Sequence, residues 1–569
     1  MRHCLSVFRS ATLVLGRCLA LTATAWLAAC GGEEEPPPTP PRFTVQPTDV
    51  TVAEGAAATL GASATAAGPG LSYQWRRGDP WADVAGATGA SLSLASASLA
   101  DAGAYAVQAS QGGLSTLSRT ALLSVSERRW SLDAAWNSGA AGAQPAQTHL
   151  GGRGALLVDA QGRTHAVFTQ QDGEGGWAMW AAWRAAGASA WGGFTRLTPP
   201  FSRYGQYEPL YPRLASDGQG RVVAVWLQVA YPHLLHVATF QPDGAGGHWQ
   251  PAQDLSESTQ PAYEQPPLVV AVDSGRFEIA WRASTPASAF QNRVYSRRLT
   301  LPASGAPLAG PLVQHTGDAE GIQFRIGLAS DGRGRTLLAW GHVLNGGTQV
   351  EGRIRVADGP WGVRTEIDGN ADNAVMTSLA DLSMNEQGLG VLVMFSGEAR
   401  VLARRFRFDA DAPTWLDSTP AYVANHTDFG VDQTLGLVDA QGRVHIVSVH
   451  GNGRRLSRWR HDGSSWRPLE AIADLSGGTQ ELPVLQHPQA GLDAAGNLMV
   501  AWLERSAADW TLRLRRHHAG LAPWREAVTL PLGATPAWGG PALALQPDGR
   551  GVLLIGEQAG GTLRSARFE

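Results

Sequence analysis

The stretch Leu214 to Trp226, LASDGQGRVVAVW, reads as an apolar strand, a tight Asp/Gly turn and a second apolar strand. Degenerate copies of it recur through the last four hundred or so residues: LVDAQGRTHAVF (157–168), VAVDSGRFEIAW (270–281), LASDGRGRTLLAW (328–340), LSMNEQGLGVLVMF (382–395), LVDAQGRVHIVSV (437–449), GLDAAGNLMVAW (491–502) and LALQPDGRGVLLI (543–555). A hairpin repeated at so long a period restricts the chain to an all-β repeat architecture, because one hairpin cannot bury its apolar faces without its neighbours.

The turn glycines are Gly162, Gly220, Gly275, Gly334, Gly388, Gly442, Gly496 and Gly549, separated by 58, 55, 59, 54, 54, 54 and 53 residues. After strands A and B each unit carries a third, Arg-containing strand C, such as 177–184, 400–407 or 562–568, and then a strand D opened by a tryptophan. Those tryptophans are Trp191, Trp249, Trp361, Trp415, Trp466 and Trp524, with Pro307-Leu308 standing in once. Four strands in about 55 residues is the content of a propeller blade. The last unit stops after strand C, while RRWSLDAAW, containing Trp130 and Trp136, stands alone before the first. The expected fold is an eight-bladed β-propeller over 127–569 closed by this N-terminal strand, which removes the free sheet edge. A seven-bladed ring would require one unit to lie outside it.

The chain begins with Arg2, Arg9 and Arg17, followed by an apolar run from Leu19 to Ala29 and then Cys30. This is a signal-peptide pattern (1–29), and the run is too short to span a bilayer as a mature helix. Leu27-Ala28-Ala29-Cys30 resembles the bacterial lipobox, which implies cleavage before Cys30, lipid on its sulfur and a cell-envelope location. Gly31 after the cysteine implies, by resemblance to enterobacterial lipoproteins, the outer membrane. Cys4 and Cys18 would leave with the signal, so the mature chain has no intramolecular disulfide. Residues 30–42, with GGEEEPPPTPPR, form an acidic, Pro-rich tether of roughly 35 Å at about 3.1 Å per residue.

Residues 43–126 alternate short strands with Gly, Pro and Ala turns, a sandwich pattern. Glu54-Gly55 ahead of Thr59-Leu60, Tyr73-Gln74-Trp75, and Leu99 to Tyr105 at the tyrosine corner resemble a bacterial immunoglobulin-like domain. Ala62 and Val107 stand where antibody domains have cysteines, so Trp75 is expected to pack against aliphatic groups. Such a module is expected to act as support or spacer, with adhesion through its loops as the alternative.

The repeated Asp/Gly turns are explained by hairpin chemistry: glycine supplies positive φ, and the acid accepts bonds from its own turn. They are only loosely similar to the Asp-boxes of sialidase-like propellers, whose S-x-D-x-G-x-x-W lies between strands C and D. Here the turn joins A to B, and no catalytic residue is carried over.

Function is expected at the opposite face, where the D-to-A loops meet. An acid precedes strand A in six units: Glu208, Glu264, Glu320, Asp372, Asp428 and Glu481. Tyr207, Tyr263 and Phe324 lie beside them, as do Tyr204, Tyr211, Phe429 and Trp538. Carboxylates in register around a mouth could hold a cation such as Ca2+ or meet sugar hydroxyls, and the aromatics could stack on pyranose rings. The competing reading is that each acid caps its own unit or pairs with a strand C arginine.

No G-x-S-x-G, H-E-x-x-H or phosphate-cradling Gly loop is present. His233 with His236, and His517 with His518, should face apart in strands. A formal charge of -4 without a basic block excludes nucleic acid as the main partner. The sequence therefore points to a monomeric, lipid-anchored envelope protein that recognises glycan or another envelope or extracellular protein without catalysis or an obligate cofactor. A carbohydrate-active hydrolase or lyase using two of the ring acids, and a structural scaffold, are the alternatives.

Overall fold

The structure, a computed structural model, describes residues 39–136 and most of 156–569; the main intervals outside it are 172–176, 199–208, 229–232, 262–264, 318–322, 368–376, 397–399, 409–412, 426–433, 476–483, 506–509, 531–539 and 558–561. Among the described residues there is no α-helix, and only the single 3-10 turn Leu99–Asp101 interrupts an all-β chain. Contacts divide it into two compact units, one from residues up to 48, 60–92 and 104–121, the other from 49–59, 93–103 and 122–569.

In the first unit Ser72–Arg77 pairs antiparallel with residues 105–110, placing Trp75 opposite Val107. Trp75 is fully buried, and its indole N–H donates to Gly89 O at 3.0 Å. Ala62, Tyr105 and Val107 are also buried, so the two positions where antibody domains have cysteines hold packed aliphatic side chains. The Tyr73 hydroxyl accepts from Ala64 N at 2.9 Å, satisfying a phenol that would otherwise be costly to cover.

The second unit holds eight antiparallel sheets of four to six strands. Sheet 1 is Leu156–Val158, Thr164–Gln171, Trp177–Arg184 and Gly192–Arg196. Sheets 2 to 8 begin with Pro209–Ser216, Leu268–Asp273, Gln323–Ser330, Thr377–Met384, Thr434–Val438, Val484–Leu492 and Ala542–Leu545. Each first strand lies against the first strand of the next sheet, and that of sheet 8 lies against that of sheet 1.

Second strands are buried on both faces because a neighbour covers each side, which explains why Val222–Gln228 and Val444–His450 are buried at every residue. An apolar cluster fills each of the eight seams between successive sheets; Val167 and Met179 of sheet 1 meet Trp226 and Phe240 of sheet 2. The seam from sheet 8 to sheet 1 is filled in the same manner by Leu156 and Phe168 against Val552 and Leu563.

Sheet 8 has the strand order Trp130–Leu132, Thr562–Phe568, Gly551–Glu557, Ala542–Leu545. Trp130 stands opposite Phe568 and Leu132 opposite Ala566, with ring centroids of Trp130 and Phe568 5.3 Å apart. Trp136 bridges to Leu563 and stacks on Trp191 at 4.7 Å, tying the same segment to sheet 1.

Strand D differs from expectation: in sheets 4 and 7 it begins at Thr365 and Val528, four residues after Trp361 and Trp524, and in three sheets it is broken in two. Gly246–Trp249 is followed by Gln253–Asp254, Leu308–Ala309 by Val313–Gln314, and Pro413–Trp415 by Ala421–Asn425. Pro251, Pro311 and Pro420 lie in the three gaps, and a proline cannot donate to the ladder.

The A-to-B turns bind neighbouring sheets as well as their own hairpins. Asp217 Oδ1 accepts from the N–H groups of Gln219 and Arg221, and Oδ2 from Arg221 Nε at 2.8 Å. The same Oδ2 accepts from Gly275 N of sheet 3 at 2.8 Å, while Arg221 Nη1 donates to Leu301 O at 3.1 Å. Arg163 likewise crosses from sheet 1 to Gly220 O and Gly246 O, and Arg335 from sheet 4 to Phe408 O. Gly220 has φ +75, a backbone that favours glycine, and a side chain there would also displace the Gln161 amide and the Arg163 guanidinium. Burial alone would raise the Asp159 carboxyl, but its bonds from His165 and Arg163 outweigh this and hold it below the usual carboxylate range.

Segment 49–59 is fixed within this unit by Glu54. Arg516 donates to its two oxygens at 2.8 and 2.7 Å, and this pairing outweighs the burial that would raise the carboxyl.

Two outcomes follow. Asp217→Ala leaves the Arg221 guanidinium and Gly275 N–H without their buried partner and should cost about 3–5 kcal/mol, read as a lower denaturation midpoint. Burial, then repulsion from Arg458, lowers His517 to about 4. Its unfolded form takes up a proton from about pH 6.5 downward while the folded form resists until about 4, so stability should fall across that window. Denaturation at pH 7, 5.5 and 4 should show this slope reduced in His517→Gln.

Candidate functional site

At the end of strand A away from the Asp turn, four sheets lose regular pairing. Register shifts fall between Leu210 and Arg213, Gln323 and Ile326, Leu379 and Asp381, and Gln486 and Gln489. In sheets 2 and 7 the extra residues are Tyr211-Pro212 and His487-Pro488, each pair set opposite a tryptophan, Trp226 or Trp502. Proline removes one ladder donor, and the residue before it is driven out of the helical region. Both Tyr211 and His487 are left-handed, with φ of 57° and 52°. Such a backbone costs a non-glycine residue on the order of 1–3 kcal/mol, and a bulge re-aims a side chain that the strand would have pointed elsewhere.

Sheet 4 places Phe324 and Arg325 in the corresponding bulge. Burial lowers the Arg325 guanidinium, Asp381 of sheet 5 opposes that by attraction, and Arg282 of sheet 3 adds to it. Asp381 is held by the N–H groups of Leu382 at 3.0 Å and of Gly436, in sheet 6, at 2.7 Å. The Gln265 amide donates to Ile326 O and accepts from Ile326 N, both at 3.2 Å, an amide acting as a short piece of strand between sheets 3 and 4. Tyr211 is half-buried against the cluster between sheets 2 and 3.

Strand B also changes character toward this side. Thr169, Gln170, Gln228, Arg282, Ser284, Ser448 and His450 follow the apolar run and are buried. Hydroxyl pairs such as Thr434 with Ser448 at 2.6 Å, and His450 with Ser457 at 2.9 Å, make the layer a hydrogen-bonded network. Aromatic, imidazole, guanidinium and amide groups are thus set at one end of the strand A circuit, on positions fixed by bulges rather than by loop length.

Tyr207, Glu208, Tyr263, Glu264, Glu320, Asp372, Asp428 and Glu481 lie outside the described residues, as do Tyr204, Phe429, Trp538 and Cys30. Phe324 lies in the strand Gln323–Ser330, and its side chain is not among those described. Of the expected aromatics, Tyr211 is the one whose surroundings are described. Among the described residues no group of three or more His, Cys, Asp or Glu could hold a metal ion.

Of the paired histidines, His233 and His518 lie just outside their strands, so alternation within a strand does not apply to either pair. His236 lies against Trp226 at 5.7 Å, while His517 packs on Trp524 at 5.3 Å and His518 turns to Glu127 at 3.5 Å.

The bulges and their left-handed residues were missed in the sequence. Their signal was there: a proline stands five residues before the turn acid or its equivalent in Pro212, Pro488 and Pro541.

No family model matches the chain. An 88-residue stretch is 43% identical to Endoglucanase C of Cellulomonas fimi; it makes up 15% of this chain and 8% of that protein, so the match spans less than a tenth of the relative's length. Among solved structures, AofleA from Arthrobotrys oligospora is 9% identical, covering 74% of this chain and 92% of its own with a TM-score of 0.33. An Aleuria aurantia lectin in complex with Fucalpha1-6GlcNAc is 11% identical over 57% of this chain and 96% of its own, with a TM-score of 0.30.

The left-handed positions give a stability test. His487→Gly should match or exceed the parent, whereas His487→Val should be less stable than the Gly variant by about 2 kcal/mol, since a β-branched residue resists this backbone. Chemical denaturation of the two variants side by side checks it; equal midpoints would remove the strain.

Proposed function

We propose that the chain is a lipid-anchored envelope protein in which an immunoglobulin-like module at 43–126 precedes an eight-bladed propeller at 127–569, and that the strand A mouth of the propeller binds glycan without catalysis. The observation that carries the binding reading is the set of bulges that hold Tyr211, Arg325 and His487 at comparable positions toward one end of strand A, with left-handed backbone at Tyr211 and His487. Backbone strain at repeated positions around one mouth is what a recognition surface retains and a purely structural repeat would lose. An aromatic beside guanidinium and amide donors supplies both needs of a sugar, stacking on its apolar face and bonds to its hydroxyls.

The eight-bladed assignment is supported by the circuit of first strands and the shared eighth sheet. The module assignment is supported by the burial of Trp75 and Tyr105. Anchoring through Cys30 and placement at the outer membrane rest on LAAC and the residues around it. The name of the endoglucanase agrees with a polysaccharide setting for the chain.

A glycan array probed with the protein from Arg42 onward tests the reading. Tyr211→Ala should weaken binding of the retained glycan about tenfold, the equivalent of about 1.4 kcal/mol, and Tyr263→Ala and Glu264→Gln should weaken it as well. Binding unchanged in all three variants would discard this face, and cleavage of the bound glycan that Glu264→Gln abolishes would replace binding by catalysis.

A further inference from the structure

The seam between sheets 8 and 1 departs from the pattern at the seams that follow sheets 1, 2 and 4, where a turn arginine crosses to the next sheet. Where sheet 1 meets sheet 2, Arg163 is held by the carboxylate of its own turn, Asp159, at 2.7 Å and at the same time donates to Gly220 O and Gly246 O of the next sheet, 5.3 Å from the Phe240 ring. Arg335 does the same over Phe408 at 5.7 Å. In sheet 8 the corresponding arginine is Arg550. It stays at its own turn on Asp548 Oδ2 at 2.7 Å, with a side chain 43% exposed.

Two sequence changes account for this. Gln546 stands where the turns of sheets 1, 2, 4, 6 and 7 have Asp, so the turn offers Arg550 no carboxylate from that position. Thr164 pairs with Arg184 in the register in which Val222 pairs with Phe240, so the aromatic floor of the socket is replaced by a second cation. Asp133 holds Arg184 at 2.9 Å and Arg567 at 2.8 Å, and Glu569 takes the outer donors of Arg567.

A cavity of about 310 Å³, counting its open mouth, lies between the two sheets. Its wall includes Arg184, Arg550 and Arg567, each of which also has a carboxylate partner in Asp133, Asp548 or Glu569, together with Glu569 itself, Thr164 and Gln546. Asp133 and Asp548 are not part of that wall. The Arg184 side chain is 2% exposed, so its charge acts through little water.

We propose that this cavity binds an oxyanion, as a free sulfate or phosphate or as the carboxylate of an acidic sugar, in the role that the turn aspartate plays in other sheets. Arg550 and Arg567 hold it from sheet 8 and Arg184 from sheet 1, so the anion bridges the seam at which the ring is closed by both ends of the array. Bidentate arginine contacts to a planar or tetrahedral oxyanion are the geometry these side chains serve well. The site lies at the turn side of the sheets and does not depend on the strand A mouth.

Thermal unfolding of the full mature chain tests it, with sulfate, phosphate, glucuronate and glucose titrated against sodium chloride at matched ionic strength. A bound anion raises the midpoint by a saturating increment that grows as RT ln(1 + [L]/Kd), unlike the non-saturating effect of excluded salts. The parent should show saturation at millimolar anion and none with glucose. Arg550→Gln should weaken the apparent affinity at least fivefold. Gln546→Asp returns a carboxylate to the turn and should raise the midpoint without anion while abolishing the increment. Saturation with glucuronate at tenfold lower concentration than sulfate identifies the sugar acid as the source; the reverse identifies the inorganic ion. The same increment in the parent and in Gln546→Asp, or no saturating increment in the parent, overturns the proposal.

Discussion

A carboxylate removed from water and shared between two sheets is the interaction on which this architecture rests. Asp217 satisfies two N–H groups of its own turn, one guanidinium and one N–H of the following sheet. A buried charge is tolerated only when its lone pairs are filled in this way, and here filling them requires the neighbouring sheet to be in place. This turn therefore reads the position of the next sheet. The apolar clusters supply most of the favourable burial, but apolar contact is non-directional; the turn carboxylates and their arginines set the angle and spacing at which sheets can meet.

That division of labour separates the two sides of the array. The turn side is committed to cohesion, and its polar groups point into the seams. At the other end of strand A the same sequence repeat is allowed to vary, and Tyr211, Arg325 and His487 occupy comparable positions with different chemistry. Variation on a fixed scaffold is how repeat proteins acquire binding surfaces. The bulges matter because they displace the side chain without lengthening a loop, keeping it on a rigid strand.

Much of the strand framework was legible in the residues. Strand C was placed at 177–184 and 562–568 and is found there, because an alternating strand bounded by turn residues has little freedom to slip without exposing its apolar face. The pairing of Trp130 with the end of the array followed from counting strands. What the residues did not disclose is relational. The reach of Arg163 into the next sheet depends on which carbonyls stand opposite, and Tyr211 gives no local sign that its φ is positive until its Pro212 is aligned with Pro488. The six loop acids were chosen from register alone, and register fixes a height on the sheet but not a direction for a long side chain.

The short strand Trp130–Leu132 pairs with residues about 436 positions later in the chain. Sheets 1 to 7 are hairpin-built and need only near neighbours, so they can form as the chain lengthens, but sheet 8 has no outer strand until both distant segments coexist. Loop-closure entropy grows only logarithmically with separation, so the equilibrium penalty is modest, whereas the waiting time is not. Until then the strand Thr562–Phe568 presents an unpaired edge and sheet 1 lacks its closing neighbour. The order of assembly is thereby set by topology: the joining of sheet 8 to sheet 1 is a late event, and the interval before it is when the chain is most exposed to pairing with another copy.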